Sequence, residues 1–476
     1  MTRPRLLAAA LAAAVLGLAA PAGASFEVAA EPRLFPPFSA GVSDYVVRCS
    51  SPQDVRLTIR ARGEKVAVGD REPRGGEFTV RVRRRPGQAI QVRGGTTHHV
   101  RCLPRGFPSW TAERRATPQA QWYVSTPVGP RETHGYVAVF DSRGVPLWWR
   151  RSSSYAPWDA KLLPNGHLAW TRYLGHPFGV KQRVAYEERR LDGRLVRLIR
   201  AVGTPTDTHE LTPLPNGNVY VLAYRPRDGV DLSDLGGPKA TRVLDAEIQE
   251  VTPAGRVVWA WSSKDHIALS ETGERWWRRG PTRHGYDLVH ANSVEPDGDG
   301  VIVSARHLNA IYRIDKASGE IDWKLGGSSR PESLVVPGHL GDELLFGGQH
   351  DARLHGDGTL TLFDNETLDP RPPRALRYRI DPIARVATPL EAIGNPAVSE
   401  SSAVGSARKL PGGNWVVYWG ASPVHTEQTP SGAPVLRLAF DGRVDYRFVP
   451  VLPGRLSAAE LRRGMSRMVA ARRRRG

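Results

Sequence analysis

Short runs of alternating apolar and polar residues fill most of this chain. Tyr45-Val-Val-Arg, Val55-Arg-Leu-Thr-Ile, Phe78-Thr-Val-Arg-Val and Ala89-Ile-Gln-Val repeat with a period of two and are separated by polar or Gly/Pro turns. That pattern predicts about six strands in some eighty residues, a small β-sandwich. From Phe107 onward the runs become longer units. In each, a short strand leads to a Pro/Asn/Gly or Pro/Asp/Gly turn, an apolar strand returns, and a second hairpin ends in large apolar residues. The clearest unit joins His290-Ala-Asn-Ser-Val, Val301-Ile-Val-Ser-Ala-Arg306 and Ile311-Tyr-Arg-Ile through to Trp323, and a further copy opens on Gln349-His350-Asp351.

Six such units can be traced, the first starting at Ser109-Trp-Thr-Ala and the sixth ending at Val444-Asp-Tyr-Arg-Phe448. Equivalent strands recur roughly every 50 to 65 residues, a spacing that suits propeller blades with loop insertions. The predicted fold is therefore all-β, a six-bladed β-propeller of four-stranded antiparallel blades preceded by a small β-sandwich domain. Two insertions, Arg225 to Thr241 and Ser262 to Val289, are expected as rim loops. Ser457-Ala-Ala-Glu460 forms a capping box ahead of a short basic helix. The expected divisions are 1–24 signal peptide, 25–106 sandwich, 107–453 propeller and 454–476 basic helix and tail.

The signal peptide rests on a basic start, Met1-Thr-Arg-Pro-Arg5, an apolar run from Leu6 to Ala20 and a small-residue site, Ala22-Gly-Ala24, with cleavage expected after Ala24. This predicts a secreted or periplasmic protein. A membrane anchor is the alternative, though the run is short and Pro21 closes it. In an exported chain the two cysteines, Cys49 and Cys102, are expected to form a disulfide, with two buried thiols as the alternative. His98-His99 is read as surface rather than a ligand pair. The net charge of +18 is spread through strands and gathered in the terminal arginines, with no recognition motif interleaved. It is compatible with attraction to an anionic envelope surface but argues against specific nucleic-acid recognition.

Aligned on their first turns, three consecutive units carry histidine at one address. His209 stands six residues before Pro215, His290 six before Pro296 and His350 six before Gly356. The second and sixth units have Trp158 and Gly405 there, so folding alone does not demand histidine. In a propeller the first strand of each blade lines the central channel, and the three imidazoles are expected to converge at one mouth. Asn292 shares the strand face of His290, and Arg306 ends the return strand. Bases, an amide and a guanidinium, with few carboxylates apart from Asp207, Glu210 and Asp351, favour an anionic substrate whose oxygens accept hydrogen bonds. Three histidines could instead hold zinc or copper, although Asn and Arg are poor companions for a cation.

The segments His209-Glu-Leu-Thr-Pro-Leu-Pro-Asn-Gly, His290-Ala-Asn-Ser-Val, Ser304-Ala-Arg-His-Leu-Asn-Ala-Ile-Tyr, Gly348-Gln-His-Asp-Ala-Arg-Leu and Leu362-Phe-Asp-Asn365 resemble the bacterial PAPS-independent arylsulfate sulfotransferases. The resemblance spans about Phe107 to Pro450. It implies an exported six-bladed propeller with a small N-terminal β-domain, moving a sulfuryl group from a phenolic sulfate ester to a phenolic acceptor through a sulfohistidine, with no added cofactor. Carried over by position, it makes His350 the nucleophile and sets His209, His290, Asn292 and Arg306 around the sulfuryl oxygens. A neutral imidazole can attack sulfur, and a two-step displacement implies ping-pong kinetics. This chain departs from some family members in having no cysteine pair in the propeller. Residues Ile314 to Trp323 are also similar to the tryptophan motif of quinoprotein propellers, but that motif recurs poorly and acidic calcium ligands are not evident. A metal- or quinone-dependent enzyme and a non-catalytic exported scaffold are the alternatives.

Overall fold

The computed structural model describes residues 25–50, 52–129, 134–173, 184–272, 285–339, 344–367 and 371–473. The expected signal peptide, residues 1–24, lies outside them. The chain divides into two compact units, Met1–Cys102 and Leu103–Gly476.

In the first unit the strands are Phe26–Glu31, Asp44–Cys49, Gln53–Val68, Arg74–Arg84, Ala89–Arg93 and Thr97–Pro104. Val55, Leu57 and Ile59 point into its core while Arg56 and Arg60 face solvent, as the period-two pattern requires. The long strand Gln53–Val68 pairs along most of its length with Phe26–Glu31 and Arg74–Arg84, then at Ala67 and Val68 with Ala89–Arg93. Cys49 and Cys102 are bonded, with Cα atoms 5.5 Å apart, and join two neighbouring strands. His98 corrects the surface reading. It is buried against Phe26 and Phe38, with Nδ1 2.7 Å from the carbonyl oxygen of Val42.

The second unit is built from antiparallel sheets in a propeller-like series. Six sheets are found among the described residues, four of four strands and two of five. Their second strands are buried on both faces, as in Gly300–Ala305 and Thr359–Asp364, because each sheet is packed between neighbours. Outermost strands such as Leu195–Ile199 and Val386–Ile393 are largely exposed or half-buried. Apolar clusters fill the space between sheets; one joins Ile302, Ile311 and Trp323 to Leu360, Leu362 and Leu376.

Several details differ from the sequence reading. Trp110–Arg114, expected in the first unit, is instead the fifth strand of the last sheet, pairing with Pro434–Phe440. The first sheet takes its fourth strand from the other end of the chain, Val449–Val451, which pairs with Trp122–Ser125. In the last sheet the third strand is Val424–Gln428, so residues 445–448 are released to run through the interior, after a single bridge from the exposed Val444 to Val128. Tyr446 and Phe448 are buried without sheet pairing, which strand pattern alone does not separate from a paired strand. The insertion at Arg225 to Thr241 is not simply a loop. It extends two paired strands, Val219–Val230 and Thr241–Val251. The capping box is present, with Ser457 and Glu460 hydrogen-bonded to each other, and the helix it opens, Ala458–Arg473, is longer than expected.

Beneath the first strands lies a buried ionic network. Arg447, on the interior segment, meets Asp159 at 2.5 Å, Glu210 at 2.8 Å and Asp351 at 3.1 Å. Arg353 joins Glu210, Glu295 and Asp351, Arg408 joins Asp351, and Lys161 joins Asp159 and Glu210. These residues belong to five sheets and the interior segment, so the network ties the inner strands together.

Candidate functional site

The three phased histidines stand on or beside inner strands, two of them at the strand start. His209 lies in Thr206–Pro213, His290 immediately precedes Ala291–Asp297, and His350 opens His350–Leu354. In all three strands the pairing register slips at this place. Such bulges turn side chains out of the regular alternation. His290 and Asp351 are in the left-handed region, with φ of 51° and 56°, which marks local backbone strain at both. Gly405, at the corresponding address of the sixth unit, also follows from space: a Cβ there would strike the ring of Phe363, the residue paired with His350.

The His209 and His290 rings meet edge to face, 4.7 Å between centroids. His307, which the phase alignment did not single out, stacks on His290 at 4.4 Å and 24°. Tyr446 stands 5.8 Å from His209 and is stacked on Trp158 at 5.3 Å. Each imidazole has its Nδ1 against an oxygen: His209 on Asp207 at 2.7 Å, His290 on Asp287 at 2.6 Å, His307 on the carbonyl of Asp287 at 2.6 Å and His350 on Asn365 at 2.7 Å.

For His350 the tautomer follows from its partner. The Asn365 amide donates through Nδ2 to the carbonyl of Val404 and to Ser401 Oγ, both at 2.8 Å. A carbonyl can only accept, so Oδ1 of Asn365 must face His350. Nδ1 of His350 therefore carries the hydrogen and Nε2 the lone pair. Burial pushes the His350 imidazole well below its ordinary range; the positive charge of Arg306, and His209 and His290 when protonated, add to this and outweigh the opposing bond from Asn365. His350 is neutral at pH 7.

His290 and His307 are likewise held well below the ordinary histidine range, first by burial. His209 and Arg306 press His290 further down, and His290 and Arg306 do the same to His307. Burial alone would raise the Asp207 carboxyl, but the charge and hydrogen bonds of His209 hold it below the usual range. Burial raises Asp287.

Arg306 follows its strand in a single 3₁₀ turn; its backbone N–H donates to the carbonyl of His290 and its Nη2 to that of Ser402 at 2.9 Å. Asn292 is fully buried. Its Nδ2 donates to the carbonyl of Gln349 at 2.7 Å, the residue before His350, and its own carbonyl accepts from Arg447. Asn292 thus joins two neighbouring inner strands at the site. Glu210 and Asp351 turn away from the histidines into the ionic network, where Arg408, Arg353 and Arg447 overcome burial and keep Asp351 far below the carboxylate range.

Ligand atoms of Asp287, His290 and His307 come within 4.8 Å of one another. Arg306 adds positive charge beside both imidazoles, which opposes a cation there. A cavity of about 540 Å³ contains none of the histidines; Lys161, Glu210, Glu295, Arg353 and Arg408 line it.

Asp207, Asp287, His307 and Asn365 complete the site. Asp207 was open to a spacing argument, since residues two apart on a strand share a face with His209. Asp287 sits on a two-residue strand, Tyr286–Asp287, that pairs in parallel with Thr241–Val251 near the end of an insertion, and no repeat pattern marks it.

Residues 200–441, just over half of the chain, match the family model described as arylsulfotransferase (ASST). The chain belongs to the arylsulfotransferase family. The matched stretch contains His209, His290, Asn292, Arg306, His350 and Asn365. No curated protein matches this arylsulfotransferase-family chain. Solved structures similar to it include a protein of unknown function from Bacteroides caccae, with 12% identity over 70% of this chain and 99% of that one and a TM-score of 0.41. A putative 6-phosphogluconolactonase from Bacteroides fragilis shows 10% identity over 71% and 100%, with a TM-score of 0.40. A virginiamycin B lyase from Staphylococcus aureus shows 11% identity over 74% and 91%, with a TM-score of 0.34.

Proposed function

We propose that this protein transfers a sulfuryl group from a phenolic sulfate ester to a phenolic acceptor, with His350 as the nucleophile that carries it between the two. The observation that supports this most is the His350–Asn365 hydrogen bond, which leaves a neutral imidazole with its lone pair on Nε2. In the first displacement Nε2 attacks sulfur as the S–O bond to the phenol breaks; in the second the acceptor oxygen takes the group and Nε2 recovers its electron pair. The kinetics are ping-pong. Arg306, His209 and His290 surround the transferred group and stabilise charge on its oxygens. Asn292 acts mainly through the Gln349 carbonyl, holding the strand that presents His350.

In this reading the six sheets are blades of one six-bladed propeller, closed by exchange of the strands Trp110–Arg114 and Val449–Val451 between the first and last blades, and the first unit is a small β-sandwich. The Cys49–Cys102 bond suits an oxidising compartment and supports export through the leader sequence, cleaved after Ala24. The test is transfer from a nitrophenyl or methylumbelliferyl sulfate to a phenol by purified protein without added nucleotide or metal. Release of the first phenol that needs only water would indicate a sulfatase instead.

A further inference from the structure

The cavity of about 540 Å³ lies apart from the histidines. Its wall is made by the first strands of five sheets, at positions past the histidines in the direction of the chain, and by residues 449–455, which include the fourth strand of the first sheet. All six sheets therefore contribute to it. The volume falls in the range of about 300–1,000 Å³ usual for small-molecule sites.

Two kinds of surface meet there. Leu162, Pro213, Pro296 and Leu452 are half-buried and present apolar area to the cavity, which is unfavourable while only water covers it. The charged groups are mostly satisfied by one another. Lys161 uses its three hydrogens on Asp159, Glu210 and the carbonyl of Leu211, and both Glu210 oxygens are taken by Lys161, Arg353 and Arg447. Arg353 holds Glu295 through Nη1 at 2.9 Å.

Two guanidinium groups keep donors in reserve. Arg408 grips Asp351 with Nε at 3.1 Å and Nη2 at 3.0 Å, and among the described residues no acceptor meets its Nη1. Arg455 is exposed on the cavity wall, and its side chain has no hydrogen bond or ion pair among the described residues. The network already matches the carboxylates of Asp159, Glu210, Glu295 and Asp351 with Lys161, Arg353, Arg408 and Arg447, so Arg455 adds positive charge that no described carboxylate answers.

We propose that this cavity binds an organic monoanion, a carboxylate or sulfonate on an apolar body, whose oxygens accept hydrogen bonds from Arg455 and from Nη1 of Arg408 while the body covers Leu162, Pro213, Pro296 and Leu452. It does not depend on the reading of His350 as nucleophile. A guanidinium presents paired N–H donors in the plane that such an oxyanion matches. Inorganic sulfate or phosphate would leave the apolar wall uncovered. A cationic ligand would find one carboxylate oxygen of the network not yet bonded, Oε1 of Glu295, beside two guanidinium groups.

Titration calorimetry of the full chain with 1-naphthoate tests this, with 1-naphthamide, which has the same rings and no charge, as the comparison. Naphthoate should bind, and naphthamide should bind at least about tenfold more weakly. Arg455→Gln should weaken naphthoate binding about tenfold, the effect of losing one charge-assisted hydrogen bond. Leu162→Trp, which fills the cavity, should abolish it. Arg455 is exposed and outside the ionic network, so its variant remains informative even where Leu162→Trp fails to fold. Equal affinity for the amide, naphthoate binding unchanged in Arg455→Gln, or no binding of naphthoate by the unmodified protein would each overturn the proposal.

Discussion

Nδ1 of His350 lies 2.7 Å from Oδ1 of Asn365, and the Asn365 amide is held in that orientation by the carbonyl of Val404. The other two phased histidines, His209 and His290, have carboxylates in this position. An amide orients the ring and raises its proton affinity less than a carboxylate would, so burial keeps His350 neutral.

Asn365→Asp is therefore expected to move the acid limb of kcat/KM to higher pH, because a carboxylate would favour the protonated, unreactive imidazole. Asn365→Leu should lower turnover by about 10²-fold through loss of ring orientation. pH–rate profiles of both variants check this, and an unmoved acid limb in Asn365→Asp would show that Asn365 does not govern His350.

Arg447 holds the ionic network together. It is 2% exposed and pairs with Asp159, Glu210 and Asp351, so Arg447→Met leaves three buried carboxylates short of a partner. Breaking a buried pair from one side costs about 3–5 kcal/mol. Urea unfolding should show that loss. A change within a few tenths of a kcal/mol would mean Arg353, Arg408 and Lys161 suffice.

The Cys49–Cys102 bond closes a sequence separation of 53 residues. Replacing both cysteines with serine should destabilise the first unit by about 2–5 kcal/mol. Limited proteolysis, with and without reductant, should cleave that unit first. Sulfuryl transfer by the remaining residues tests whether catalysis needs it.

Acid should loosen the second unit. His290, His307 and His350 have folded-state proton affinities below those of an unfolded histidine, which titrates near 6.5. Below that pH the unfolded chain binds more protons, so their contribution is fully present above about 6.5 and is lost as pH falls. Each imidazole still neutral in the folded state contributes up to about 1.4 kcal/mol per pH unit of that loss. Unfolding midpoints at pH 7.5 and 5.5 check the sign, and His307→Gln should flatten the dependence.

Much of this was open to reading before any coordinates. The Pro/Asn/Gly and Pro/Asp/Gly turns mark the hairpins, and the spacing of His209 and His290 from those turns anticipates rings that the structure brings to 4.7 Å. What escaped depends on distant pairing. Trp110–Arg114 reads as an ordinary strand of its local unit and Val449–Val451 lies past the last strand the pattern predicts, yet their partners lie more than three hundred residues away. Asp287 and His307 fall outside the repeat, on an insertion and in a 3₁₀ turn, where periodicity carries no information. Asn365 is visible as part of a segment but not as the partner of His350, because that contact joins the start of one strand to the residue after the next.

Trapping the covalent intermediate tests the central claim most directly. Protein mixed with an aryl sulfate, without acceptor, and quenched under alkaline conditions that preserve N-sulfo groups should gain one sulfuryl group, mapped by peptide mass spectrometry to His350. Added phenol should discharge it, and His350→Ala should show neither adduct nor transfer. Transfer that persists in His350→Ala, or an adduct mapped to His209, His290 or His307, would contradict the account.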